Sequence, residues 1–508
     1  MMIKLSGQDL TIDKVIDIAR NNEKVKLTES AQKKVKKARN MVNELVEEDD
    51  VVYGITTGFG KFSDKRISPR EVLKLQENLI KSHATGTGDP LPREVVRGMM
   101  LLRINNLARG HSGIKNQTLD LLVDMLNNDI IPWVPEQGSV GASGDLVPLA
   151  HMVLVMMGKG RAYYENELIN GNKALEYAGL NPVQLDSKEG LALINGTQMM
   201  GALGSLSVFD SINLTLHSDL ALALSLEGLN GILDAYDEDI HKLRPHKGQT
   251  IVAQNIRKIT EGSKLAVYNH NERVQDAYTL RCAPQVHGAS RDAINHVKNT
   301  ITREMNSVTD NPLLFPDKGK VLSGGNFHGQ PLALTLDYLG MAVSELGNIS
   351  ERRTARMVDG SLNNGLEMFL TPHGGLNSGY MISQYTAASL VAENKVLANP
   401  SSTDSIPTSA NQEDHVSMGS ISARKVRNIV ENVENILAIE LITAAQAVDM
   451  RSRDPLHDLG KGSKIIYNAI RERVPELKED RILYSEVKEV QEMIHNKIIL
   501  DKINNLIC

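Results

Sequence analysis

Residues 418–451 read MGSISARKVRNIVENVENILAIELITAAQAVDMR, and this stretch decides the fold class. Its apolar side chains recur at spacings of three and four residues, at Val426, Val430, Val433, Leu437, Leu441 and Ala444. That spacing places them on one face of an α-helix, which approaches ~50 Å at 1.5 Å per residue. The stretch therefore predicts one long amphipathic helix, whose apolar face other helices must cover.

Similar helical patterns fill much of the chain after residue 197. They cover roughly residues 197–227, 286–307, 330–357 and 378–398, and a charged helical tail follows at 455–508. Several helices of such length imply an elongated bundle, and their wide apolar faces suggest burial against other subunits. Residues 198–508 are therefore predicted to form a long-helix bundle with a C-terminal helical tail.

The first 197 residues have a mixed pattern, in which glycine-rich turns separate short apolar segments. Amphipathic helices are predicted at 28–49 and 91–109, and short strands near Val51-Val52-Tyr53 and near residues 160–170. We expect residues 1–197 to form a mixed, mostly helical N-terminal domain. The predicted fold class is mainly α, with an elongated central helical bundle beside this N-terminal domain.

The composition agrees with a helical core and argues against some functions. Aromatic residues are only 4% of the 508 residues, with a single Trp. The core therefore depends on Leu, Ile, Val, Met and Ala, which suit helices better than β-sandwiches. The net charge of −6, from 62 acidic and 56 basic residues, lacks the basic excess that nucleic-acid binding requires.

The N-terminus, the apolar runs and the cysteines favour a cytoplasmic protein. Lys4, Asp9 and Asp13 interrupt the N-terminal sequence, so we expect no signal peptide. No run reaches the ~18 apolar residues that span a bilayer, so we expect no membrane partner. Cys282 and Cys508 could form one disulfide, but two free thiols in a reducing cytosol is the favoured interpretation.

A small, glycine-rich run, GSVGASGDLVPLAH at residues 138–151, leads into an apolar helical stretch. Alone it is typical of a turn before a helix, with Ser143 or Asp145 as N-cap. Asp145 stands where a G-x-S-x-G nucleophile elbow needs its second glycine. A tight turn would instead let the Gly144 nitrogen attack the Ala142 carbonyl, because glycine has no Cβ to block the approach. Loss of water there and from the Ser143 side chain would leave a ring with an electrophilic methylidene carbon.

Several motifs together resemble the family of ammonia-lyases and aminomutases that carry the methylideneimidazolone cofactor. Besides 138–151 they lie at residues 53–60, 82–84, 193–197, 275–281, 306–312, 324–329 and 405–418, in the order of the family. The resemblance covers nearly the whole chain. It implies a cofactor formed from Ala142-Ser143-Gly144 and a mainly helical homotetramer whose active sites are each assembled from three subunits.

Within this family the chain is most similar to the histidine-specific branch. His83 occupies a pocket position where phenylalanine-using relatives place an apolar residue, and Glu413 is typical of the histidine enzymes. Imidazole carries a donor and an acceptor, and an apolar pocket would leave them unpaired at a cost of ~1–3 kcal/mol. The resemblance therefore implies elimination of ammonia from L-histidine to give trans-urocanate.

The resemblance also implies the catalytic residues. Tyr53 is the candidate base for the β-proton of the substrate, although Glu413 could also act as that base. Tyr278 lies three residues before Arg281, on the same face of a helix, and is expected to orient the substrate or the cofactor. Considered alone, a tyrosine such as Tyr53 between Val52 and Gly54 would more often be a packed strand residue.

A further set of residues is expected to bind the substrate. Arg281 would hold the substrate carboxylate in a bidentate pair, although without the resemblance a salt bridge would be favoured. Asn195 and Gln275 are expected to be amide partners of the cofactor carbonyl or of the substrate, and Phe327 to pack beside the ring. His83 completes the set; alone it would be interpreted as a structural histidine.

Two alternative functions remain open, and a metal requirement is not expected. A tyrosine or phenylalanine ammonia-lyase or aminomutase would use the same cofactor, and a non-catalytic helical assembly protein would keep the fold without the chemistry. We predict no metal requirement, since the adjacent Glu413-Asp414-His415 cannot easily converge on one ion. His241 and His246 are also poorly spaced for a helical zinc pair.

Overall fold

The computed structural model describes residues 2–48, 52–58, 60, 65, 67, 71–270 and 273–507. Helices make up 59% of the structure. Twenty α-helices and nine short strands lie in the described ranges. The prediction of a mainly α fold is confirmed.

Eight helices lie in the described residues before 197. They are α1 (Ile12–Ala19), α2 (Glu29–Glu47), α3 (Val72–His83), α4 (Arg93–Leu107), α5 (Asn116–Asn127), α6 (Leu146–Met156), α7 (Gly171–Tyr177) and α8 (Glu189–Ile194). Threonine side chains cap the N-termini of α1 and α2. The Thr11 side chain accepts a hydrogen bond from the Lys14 amide, and the Thr28 side chain accepts one from the Ala31 amide. Each cap satisfies an amide that a helix N-terminus leaves unpaired.

Twelve helices follow within the described residues, and the longest are those that the apolar periodicity predicts. They are α9 (Gln198–Gly228), α10 (Glu238–Leu243), α11 (Lys247–Ile259), α12 (Tyr278–Arg281), α13 (Ala283–Glu304), α14 (Gln330–Val358), α15 (Met381–Leu397), α16 (Gly419–Arg451), α17 (Pro455–Asp458), α18 (Lys461–Arg471), α19 (Tyr484–His495) and α20 (Ile498–Ile503). All six apolar residues of the α16 stripe are buried. The five predicted long helices and the helical tail are confirmed.

The strands are short and form four small sheets. They are β1 (Ile3–Leu5), β2 (Val25–Leu27), β3 (Thr87–Pro90), β4 (Ile131–Pro132), β5 (Pro135–Gln137), β6 (Arg161–Tyr164), β7 (Glu167–Asn170), β8 (Leu313–Phe315) and β9 (Lys320–Leu322). Strands β1 and β2 pair in parallel, whereas β3–β5, β4–β6–β7 and β8–β9 pair antiparallel. The β6–β7 hairpin confirms the strands predicted near 160–170. Its turn residues Glu165 and Asn166 both have positive φ, as a two-residue hairpin turn requires.

The strand predicted near Val51-Val52-Tyr53 is wrong for Val52 and Tyr53, and Val51 lies outside the described residues. The Val52 carbonyl accepts from the Ile55 amide at 3.1 Å and from the Thr56 amide at 3.0 Å. The Thr56 hydroxyl in turn accepts from the Val52 amide at 3.0 Å. These local bonds close the backbone into a turn, so Tyr53 is presented on a loop instead of a strand.

The chain divides into two compact units. The first comprises residues 1–206, 298–337 and 400–424, and the second comprises 207–297, 338–399 and 425–508. All nine strands and helices α1–α8 belong to the first unit. Since the units alternate along the chain, they do not coincide with the segments 1–197 and 198–508, and that domain division stays a prediction.

Each unit contains buried charge that is paired. In the first, Lys188 Nζ lies 2.8 Å from Asp310 Oδ2, and both side chains are fully buried. In the second, Arg353 Nη2 donates to Glu440 Oε2 at 2.8 Å, and His287 Nδ1 lies 3.0 Å from Asp219 Oδ1. Removing one partner from such a pair leaves an uncompensated buried charge, so these contacts restrain the segments that carry them.

No helix in the described ranges is long and apolar enough to cross a membrane. Cys282 is a free thiol, as expected, and Cys508 lies outside the described residues.

Candidate active site

A cavity of about 1320 Å³ lies in the first unit. Seven of the predicted site residues line it together: Tyr53, His83, Ala142, Ser143, Asn195, Phe327 and Glu413. The loops around residues 53–60, 323–328 and 409–415 provide much of the remaining wall. Segments far apart in sequence therefore converge on one space, large enough for a small substrate.

The tripeptide Ala142-Ser143-Gly144 is held in a tight turn before α6. Gly144 has φ +70°, and a Cβ built on it would lie 2.2 Å from the Gly196 carbonyl oxygen. The Asp145 amide donates to that same carbonyl at 2.7 Å. Only glycine fits at 144, because an added methyl group would collide with backbone that cannot move aside.

The preceding residues of this loop are bound to the segment before α16. The Ser417 hydroxyl donates to the Gly141 carbonyl at 2.8 Å, and the Met418 amide donates to the Val140 carbonyl at 2.8 Å. Gly141 also has positive φ, and a Cβ there would lie 2.4 Å from Ser417 Oγ. These contacts hold the backbone on the N-terminal side of the turn in place.

Asp145 stands directly after the turn and is completely buried. Its Oδ2 accepts from the Met200 amide at 3.0 Å, while Oδ1 has no hydrogen-bond partner among the described residues. Burial raises the pKa of Asp145 to about 7, against the hydrogen bonds from the backbone of Met200 and Met199. Asp145 occupies the N-cap position of α6, as considered from sequence, but its side chain makes no capping hydrogen bond.

The Ser143 hydroxyl donates to Glu413 Oε1 at 2.7 Å. The second oxygen of the carboxylate, Oε2, accepts from the Thr408 hydroxyl at 2.8 Å. Both Ser143 and Glu413 line the cavity. The carboxylate assigned to the imidazole therefore lies directly beside the serine assigned to the electrophile.

His83 is at the C-terminal end of α3, and the cavity-lining residues Leu75, Asn78, Leu79 and Ser82 precede it on that helix. Its Nδ1 lies 2.8 Å from the Leu79 carbonyl, which can only accept, so Nδ1 carries the proton. Burial lowers the pKa of His83, opposed by that hydrogen bond and by the charge of Glu413. The neutral ring keeps Nε2 as an acceptor.

Tyr53, Asn195 and Phe327 complete the predicted set within this unit. The Tyr53 hydroxyl accepts from the Gly60 amide at 3.2 Å. Asn195 caps the end of α8, and its Nδ2 lies 3.2 Å from the Asn311 carbonyl. Its Oδ1 is buried without a partner among the described residues. A buried amide oxygen that no protein group satisfies is suited to a group that enters the cavity.

Gln275, Tyr278 and Arg281 belong to the second unit, and the cavity lining described above does not include them. Gln275 is exposed, and Tyr278 is 69% exposed on α12. Arg281 Nε donates to the Asp276 carbonyl at 3.0 Å, and its guanidinium lies 4.5 Å from the centre of the Tyr278 ring. Among the described residues, no acceptor pairs with its two Nη groups, so they are available for a carboxylate.

The cavity also contains residues that the sequence reasoning did not assign. The rings of His328 and His415 stack with centroids 5.8 Å apart and an interplanar angle of 3°. His328 Nε2 lies 3.1 Å from the His415 carbonyl, which joins the two loops. Asn78 and Gln412 line the cavity as well. The sequence contained one indication of this for Asn78. It lies four residues before Ser82, and residues four apart share a helix face.

The residues around the tripeptide fit a cofactor made from its own backbone. The turn leaves no space for a Cβ at residue 144, so only a glycine can supply the backbone nitrogen of such a ring there. By contrast, the described residues contain no group of three or more His, Cys, Asp or Glu side chains that could hold a metal ion.

Comparison with known proteins identifies the family to which this mainly helical fold belongs. The family model for aromatic amino acid lyases matches residues 10–472. The chain belongs to the aromatic amino acid lyase family.

Individual relatives and solved structures within the family can be compared with this chain. A histidine ammonia-lyase of Alkaliphilus oremlandii is 52% identical over 505 residues, which are 99% of each chain. The crystal structure of histidine ammonia-lyase from Trypanosoma cruzi superposes with a TM-score of 0.93 at 41% identity, covering 100% of this chain and 96% of that one. A tyrosine aminomutase from Streptomyces globisporus superposes with a TM-score of 0.95 at 34% identity, covering 100% and 99%. The fold is therefore shared by a histidine ammonia-lyase and a tyrosine aminomutase.

Proposed function

We propose that the protein is a histidine ammonia-lyase, which eliminates ammonia from L-histidine to give trans-urocanate in histidine degradation. Relatives about half identical over nearly the whole chain carry that name. The observation that carries the proposal is the 2.7 Å hydrogen bond from Ser143 Oγ to Glu413 Oε1. It brings the serine of the reactive turn next to a carboxylate that can receive an imidazole N–H.

The cofactor of this proposal is the methylideneimidazolone ring from Ala142-Ser143-Gly144, which supplies an electrophilic carbon for the substrate amine. Gly144 permits the turn, and Asn195 contributes a buried oxygen that can accept a hydrogen bond. The proposal includes no metal. The carbon–nitrogen bond of the substrate then breaks as its β-proton is removed.

In the proposal, some pocket residues contact the imidazole ring of the substrate and others act at its β-carbon. Glu413 accepts from an imidazole N–H, and His83 is a second polar side chain in the same cavity. Phe327 packs beside the ring. Tyr53 lies in the same cavity as a candidate base for the β-proton, and Glu413 stays the second candidate.

The carboxylate of the substrate is assigned to the second unit of another subunit. Arg281 supplies a bidentate fork, and Tyr278 and Gln275 lie on the same exposed segment. Apolar side chains exposed on the long helices, such as Leu334, Ile382 and Val396, support burial against other subunits. The proposed assembly is a homotetramer with shared active sites. We also assign the protein to the cytoplasm, where the thiol of Cys282 would stay reduced.

The test is turnover of L-histidine, L-tyrosine and L-phenylalanine side by side, followed by the ultraviolet absorption of each product. The proposal predicts urocanate from L-histidine and no turnover of the two aromatic amino acids. His83→Leu should lower kcat/KM for L-histidine by about tenfold or more, because a ring nitrogen loses its partner. Turnover of L-tyrosine instead would favour the second candidate, an aromatic ammonia-lyase or aminomutase, which the similarity to the tyrosine aminomutase supports.

A further inference from the structure

The carboxylate of Glu413 is held at both oxygens. Ser143 Oγ donates to Oε1 at 2.7 Å, and Thr408 Oγ1 donates to Oε2 at 2.8 Å. Hydrogen bonds to an ionised carboxylate are the strong ones among side-chain contacts. The two donors therefore fix both the position of the carboxylate and its rotation about the final side-chain bond.

Thr408 and Glu413 also close the loop between them. The Thr408 amide donates to the Glu413 carbonyl at 2.9 Å, and the Glu413 amide donates to the Thr408 carbonyl at 3.3 Å. Three of the four enclosed residues, Ser409, Ala410 and Asn411, have positive φ, at 53°, 52° and 62°. A non-glycine residue in that region is strained and persists only where the surroundings enforce it. Thr408 therefore anchors Glu413 through its backbone and its side chain within a strained turn.

The two donors differ in what becomes of them when the tripeptide cyclises. Ring formation removes the Ser143 hydroxyl as water, so Oε1 loses the donor that it has in the uncyclised chain. Thr408 is not part of that reaction and retains Oε2. The mature site would then hold Glu413 by one oxygen and present the other oxygen to the substrate.

We infer that Thr408 is a positioning residue that aims Glu413 Oε1 at the imidazole of the substrate. The inference rests on the proposed function, since it needs a substrate that carries an N–H at this place. Thr408 acts only through Glu413. It does not line the cavity, and its hydroxyl is occupied by the carboxylate.

The test compares Thr408→Val, which keeps the shape but removes the donor, with Thr408→Ser, which keeps the donor. Thr408→Val should lower kcat/KM for L-histidine by about 10- to 100-fold, and Thr408→Ser by less than about threefold. Thr403→Val is the matched control, because the exposed Thr403 hydroxyl donates only to the Pro400 carbonyl, at 3.1 Å. Its kcat/KM should equal that of the wild type. Intact mass should show the same loss of two waters in all four proteins.

A double-mutant cycle separates positioning from a general structural effect. In a Glu413→Gln background, adding Thr408→Val should lower kcat/KM for L-histidine by less than about twofold. The effect is small there because the carboxylate through which Thr408 acts is already gone. If turnover there is too slow to measure, the Kd of urocanate in the same four proteins of the cycle replaces it. An unchanged kcat/KM in Thr408→Val, or an equal loss in both backgrounds, would overturn the inference. Absence of wild-type histidine turnover would instead reject the proposed function.

Discussion

The two compact units present their predicted site residues in opposite ways. In the first unit, Ser143, Glu413 and His83 line a cavity and are joined by hydrogen bonds or charge. In the second, Tyr278 is 69% exposed, and the Nη groups of Arg281 have no acceptor among the described residues. The first unit thus has its polar groups already arranged, whereas the second offers a cationic fork on an exposed segment.

Under the proposed function, this difference divides the work of the reaction between the two units. Bond breaking requires fixed geometry, which the strained turns and buried contacts of the first unit would supply. Recognition of a carboxylate requires only a well-held guanidinium, which the second unit can offer to a neighbouring subunit. The predictions below test this division, beginning with the largest expected effect.

Ser143→Ala should abolish the proposed reaction at the cavity of the first unit without changing the fold of that unit. Without the hydroxyl no methylidene carbon can form, so turnover of L-histidine should fall by on the order of 10³-fold or more. The melting temperature and the oligomeric state should stay as in the wild type. Activity near the wild-type level would show that the cavity works without the proposed electrophile.

Glu413→Gln should be the next most damaging change. It removes a charged acceptor for the imidazole and a candidate base, which predicts a loss in kcat of about 10²- to 10⁴-fold. Glu431→Gln makes the same change on an exposed helix position and should leave kcat unaltered. Equal rates for the two variants would remove Glu413 from the catalytic set.

Arg281→Lys tests the contribution of the second unit. Replacing the fork with a single ammonium should lower kcat/KM by about 10- to 100-fold. Co-expression of this variant with Ser143→Ala should then recover activity above that of either alone, because a mixed oligomer contains some sites with both residues intact. No recovery in mixed oligomers would mean that Ser143 and Arg281 act within one subunit.

His217, buried in the second unit, tests stability apart from catalysis. Burial lowers its pKa from the usual 6.5 to about 4, opposed by the hydrogen bond to the Asn213 carbonyl. Its contribution to stability is fully present above pH 6.5 and is lost as the pH falls through 4, because only the unfolded chain binds the proton in that window. Melting temperatures from pH 7 to pH 4 should therefore fall more steeply for the wild type than for His217→Gln. Parallel curves would contradict this.

Sequence periodicity predicted the fold well where helices are long. The α16 stripe from Val426 to Ala444 is buried as its spacing requires, because a 33-residue helix has only one way to bury such a face. The prediction of a strand near Val52 was wrong because local hydrogen bonds from the amides of Ile55 and Thr56 form a turn, despite the β-preference of the short apolar segment. A segment of three residues is too short for its sequence pattern to distinguish a strand from a turn.

The candidate site could be predicted only in part. Ser143, Glu413 and His83 were found through their motifs, and the cavity contains all three. Thr408 and His328 were not assigned, because their roles depend on contacts that the chain makes only when folded. Their order along the sequence shows no periodicity that would indicate a shared site.

The most direct test of the central claim is the intact mass of the native protein, with peptide mapping of residues 138–151. Cyclisation of Ala142-Ser143-Gly144 predicts a chain lighter by two waters than its sequence requires, with the loss confined to that peptide. Ser143→Ala is the matched control and should lose one water at most. A native protein with the full sequence mass would contradict the account of the first unit.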